Sequence, residues 1–70
     1  MATQTHTEIN TNLLAEANRC RRYANKARAW ANEATTEWER KEELKEAKEW
    51  DAKADYYEEF FCKRIRLGFN

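Results

Sequence analysis

The apolar stripe of this 70-residue chain changes phase at Thr35-Thr36, and that break limits the folds open to it. Before the pair, Leu13, Ala17, Cys20, Ala24, Ala27, Ala31 and Ala34 recur at alternating steps of four and three. After it, Ala47, Trp50, Ala54, Tyr57 and Phe61 do the same, with Ile65 four residues further on. At about 100° per residue, one straight helix would set these stripes roughly 140° apart and leave no common face to bury. Folding the two halves face to face removes the conflict. The expected fold is all-α, an antiparallel two-helix hairpin of residues 7–34 and 37–67 that dimerises into a four-helix bundle.

Local chemistry agrees with these boundaries. Thr5-His6-Thr7-Glu8 and Thr36-Glu37-Trp38-Glu39 each fit a capping box, in which threonine accepts from a free amide and a glutamate three residues on reaches back. Residues 1–6 are polar and expected to form a disordered tail. Glu37, Glu39, Glu42 and Glu43 place negative charge near the start of the second helix, and Lys63, Arg64 and Arg66 place positive charge at its end, as the helix dipole favours. Gly68 then stops the helix, leaving 68–70 as a C-terminal cap. With proline and valine absent, the composition also argues against strands.

Two antiparallel registers compete. In one, facing residue numbers sum to 74, so Ile9 meets Ile65, Leu13 meets Phe61 and Ala24 meets Trp50. In the other they sum to 81, which offers the ion pairs Lys26–Asp55 and Arg22–Glu59 but leaves Ile9 without an opposite residue. Exposed ion pairs are worth about 0.2–1 kcal/mol each, whereas burying an isoleucine or phenylalanine is worth about 1.5–3 kcal/mol. The 74 register is therefore expected, and it puts Cys20 and Cys62 out of reach of each other.

The formal net charge is zero, but it is unevenly spread: residues 1–32 carry five Lys/Arg against two Glu, residues 33–59 five against eleven acids, and residues 60–70 three against none. Complementary halves of this kind do not describe a uniformly basic nucleic-acid binder. No apolar run approaches the roughly 18 residues of a membrane span, and the N-terminus lacks the basic start and apolar core of a signal peptide. The expectation is a cytoplasmic chain without a membrane partner, its cysteines reduced.

Little in the sequence suggests catalysis. His6 is the one histidine, and neither Cys20 nor Cys62 has a partner at metal-ligand spacing. Cys20 falls on the small-residue seam as a buried hydrophobe; Cys62 has Lys63 and Arg64 beside it, but no third group to activate it. The carboxylates between Glu33 and Glu59 alternate with lysines at helical spacing, as on a solvated face. The chain is read as non-enzymatic, with no cofactor and no metal site.

Two surfaces remain. Tyr23 and Trp30 flank the seam of the first helix, and Tyr56, Phe60 and Leu67 form a line about 100° from the seam of the second. A two-helix hairpin cannot cover both lines, and large exposed aromatic patches mark interfaces. These five residues are the expected protein-interaction site, with the chain itself as a homodimer partner and a different protein as another. The reading is a small interaction module: an adaptor, a regulator or a stoichiometric inhibitor. The alternative is a dimeric hairpin that binds RNA or DNA through Arg19, Arg21, Arg22, Lys26 and Arg28, or an acidic nucleic-acid mimic built on residues 33–59.

Overall fold

A computed structural model describes residues 5–69. Two helices, α1 (His6–Glu33) and α2 (Glu37–Arg66), are joined by residues 34–36 and pack antiparallel as a hairpin 49 Å long. The Thr5 hydroxyl accepts from the Glu8 amide at 3.1 Å, which satisfies one of the free donors at the start of α1. Thr5 and His6, expected in the tail, are thus the N-cap and first residue of the helix. Residues 1–4 and Asn70 lie outside the described part of the chain.

The reversal needs no glycine. Ala34 and Thr36 both adopt extended backbone, with φ −63°, ψ 138° and φ −124°, ψ 154°. The Thr36 hydroxyl accepts from the Glu39 amide at 3.1 Å, while the Glu39 carboxylate accepts from the Thr35 amide at 3.4 Å. This is a reciprocal cap with its return bond moved one residue outward.

The seam between the helices is made of small side chains. Ala17, Cys20, Ala24, Ala27 and Ala31 of α1 are buried, as are Ala47 and Ala54 of α2. No large side chain among the described residues is fully enclosed; Trp50, Tyr57 and Phe61 are only half-buried along the seam. Cys20 with Ala54 and Ala27 with Ala47 are level in the 74 register, Asn10 bonds Arg64 in the same register, and Tyr23 stacks on Trp50 one position from it. The ion pairs of the 81 register, Lys26–Asp55 and Arg22–Glu59, are absent among the described residues.

One expected seam position is exposed instead. Ile65, expected against Ile9, is 41% exposed, and the side chain that reaches across at this level is Arg64, which bonds the buried Asn10. After Phe61 a period of 3.6 residues permits either 64 or 65 at the seam. Asn10 decides between them, because its side chain accepts from Arg64 Nε at 2.8 Å and donates to the Phe69 carbonyl at 2.5 Å. An isoleucine in place of Arg64 would leave the Asn10 side-chain oxygen without that donor, which is the costly outcome.

Past Arg66 the chain closes with two reciprocal bonds. The Gly68 amide donates to the Ile65 carbonyl at 3.0 Å and the Phe69 amide to the Arg64 carbonyl at 2.9 Å, with Gly68 at φ +85°. This is a Schellman motif. It turns Phe69 back onto the start of α1, where its ring stacks on His6 with centroids 4.9 Å apart. Neither helix is long and apolar enough to cross a membrane.

Candidate interaction surface

A two-helix hairpin is a single layer with two broad faces. At 100° per residue, Arg21 and Arg28 fall on one side of the α1 seam, and Tyr23 and Trp30 on the other. On α2, Asp51, Asp55 and Glu58 fall on one side, and Tyr56, Phe60 and Leu67 on the other. The antiparallel packing joins like to like, so one face is ionic and the opposite face aromatic.

On the ionic face Arg21 binds three carboxylates: Asp51 at 3.0 Å, Asp55 at 2.5 Å and Glu58 at 3.2 Å. Arg28 holds the second oxygen of Asp51 at 2.6 Å and also bonds Asn25. These bonds, led by Asp55, raise the guanidinium of Arg21 above its ordinary pKa. The hydrogen bond from Arg28, with a further one from Arg21, holds the Asp51 carboxyl below its own, against a smaller cost of desolvation. The network is partly exposed, so each pair contributes only modestly. Its geometric effect is to close this face.

The aromatic face stays open. Tyr23 and Trp50 stack with centroids 4.8 Å apart, Lys53 Nζ lies 4.4 Å over the Trp50 ring, and Tyr56 meets Tyr57 edge-on at 5.6 Å. A groove between the helices runs past Glu16, Arg19 and Cys20 on α1 and Trp50, Lys53 and Tyr56 on α2. Tyr23, Trp30, Tyr56, Phe60 and Leu67 are all exposed, with Trp30 at 56% and Tyr56 at 66%. Trp38, at 72% exposure, belongs with them and was missed. The signal was present: it lies eighteen residues, five full turns, before Tyr56.

The five basic residues singled out in α1 do not act together. Arg21 and Arg28 are engaged on the ionic face, and Arg19 pairs with Glu16 at 2.6 Å. Arg22 and Lys26 line a shallow groove beside Tyr23 and have no ion pair among the described residues. Cys20 is buried and Cys62 exposed, both as free thiols. Among the described residues no group of three or more His, Cys, Asp or Glu is placed to hold a metal ion. His6 Nδ1 sits 2.8 Å from the Arg64 guanidinium.

Compared with known proteins, the chain matches no family model, no curated protein and no solved structure. What the structure defines is a class of architecture: an all-α hairpin with one ionic and one aromatic face.

Proposed function

We propose that this chain is a non-enzymatic protein–protein interaction module of the cytoplasm whose working surface is the aromatic face. The observation that carries the reading is the asymmetry of the layer. One face is closed by its own ion pairs, while the other leaves Tyr23, Trp30, Tyr56, Phe60 and Leu67 in water. Aromatic side chains supply much of the binding energy at protein interfaces, and an uncovered patch of them on a thin alanine core is a surface that association stabilises. Two hairpins joined by these faces make a four-helix bundle. The nucleic-acid reading has less behind it: a phosphate backbone would have to displace Arg21 from three carboxylates and Arg28 from one.

The test is recovery of partners in the native cell by a tagged chain, with untagged copies also present. A specific partner, either another protein or the untagged copy, should be retained by the wild type. It should be lost from Trp30→Ser and Phe60→Ser and kept by Lys48→Ser. Recovery of nothing, or recovery indifferent to the aromatic substitutions, would overturn the reading.

A further inference from the structure

The aromatic face carries a charge pattern that says what fits it. On α1 it is lined by Arg19, Arg22 and Lys26 with Glu16 beside them, and on the turn-proximal half of α2 by Glu42, Glu46 and Glu49 interleaved with Lys45 and Lys53, so α1 is net positive there and α2 net negative. The face therefore complements itself when the α1 of one copy lies over the α2 of another. A two-fold axis running along the hairpin produces that crossing and leaves both turns at the same end. A two-fold axis across the hairpin instead stacks α1 on α1 and α2 on α2, which brings like charges together.

The surface area agrees with a missing copy. A folded monomer of 8.4 kDa exposes about 4,600 Å², and this hairpin exposes 5621 Å². The difference, about 1,000 Å², exceeds the roughly 800 Å² that each partner contributes to an interface of standard size. The radius of gyration, 15.8 Å against about 11 Å for a compact chain of this length, tells the same story of a layer lacking its second half.

Resting on the interaction reading above, we infer that the occupant of the aromatic face is a second copy of this chain, docked in parallel with α1 across the partner's α2 and the two turns side by side. In the 74 register Lys26 is level with position 48, so it meets Glu49 of the other copy, while Arg19 comes over Tyr56. Each contact occurs twice.

Two measurements on the full chain test this. In sedimentation, Lys26→Glu and Glu49→Lys should each weaken the dimer about two- to thirtyfold, since an exposed pair is lost at two symmetric places; the double variant should recover most of the affinity. For geometry, Thr35→Cys in a Cys20→Ala, Cys62→Ser background carries a spin label at the turn. Parallel docking places the two labelled turns roughly one interaxial spacing apart, about 10 Å. A dimer whose labels are separated by something close to the 49 Å length of the hairpin would overturn the arrangement. So would a chain that stays monomeric from micromolar to millimolar concentration, or charge substitutions that leave the dimer unchanged. A monomer that still recovers another protein through Trp30 and Phe60 would defeat this inference alone and leave the interaction reading standing.

Discussion

Asn10 is the only buried polar residue among those described, and it holds the open end of the hairpin. Its amide accepts from Arg64 and donates to the Phe69 carbonyl, so truncation strands one partner of each bond. Asn10→Ala should cost about 1–3 kcal/mol, read as a lower midpoint in chemical denaturation, with the His6–Phe69 stack lost from ring chemical shifts. Asp51 gives a second test. Its folded pKa lies below the ordinary value of 3.8, chiefly through Arg28. The stability it contributes is therefore fully present above pH 3.8 and is lost as pH falls through the lower, folded value. Thermal melts from pH 5 to pH 2 should show a loss of stability that is shallower in Asp51→Asn. Equal slopes would mean that the Asp51 carboxylate adds nothing to folding.

At the scale of the elements, the caps were legible because their chemistry is local. Thr36 and Gly68 act within four residues of themselves, so the boundaries at Glu37 and Arg66 follow from nearest neighbours. Gly68 is the position where the backbone needs glycine, at φ +85°, and a Cβ there would meet nothing within 4 Å. Gly68→Ala should therefore cost only the left-handed backbone penalty, about 1–2 kcal/mol, and should speed hydrogen exchange at the Phe69 amide. An unchanged midpoint would show that the Schellman turn does not anchor α2. The choice between Arg64 and Ile65 at the seam was not legible. Periodicity permits both, and only a buried amide 54 positions earlier in the chain, whose oxygen accepts from Arg64 Nε, selects the arginine.

For the whole molecule, a seam this thin ties the proposed association to stability. Alanines and one cysteine fill the interface between the helices, and no large side chain among the described residues is fully enclosed. If a second hairpin completes the core, unfolding is coupled to dissociation, and the melting temperature depends on protein concentration. Each tenfold increase is worth about 1.4 kcal/mol per dimer, or about 3–6 °C for a unit of this size. A midpoint constant from micromolar to millimolar would show that the single layer is self-sufficient.

The chain by itself determined the helices, the reversal at Thr35-Thr36, the small-residue seam and the separation of aromatic from charged positions. All of these rest on spacing along one helix or on chemistry within a single turn. Tertiary structure alone decided that Arg21 gathers three carboxylates, that Arg64 displaces Ile65 from the seam, and that Phe69 returns to His6. Those outcomes depend on the level at which the two helices meet and on the reach of long side chains across the layer. Such distances are set only once both helices are packed, so no periodicity along the sequence carries them.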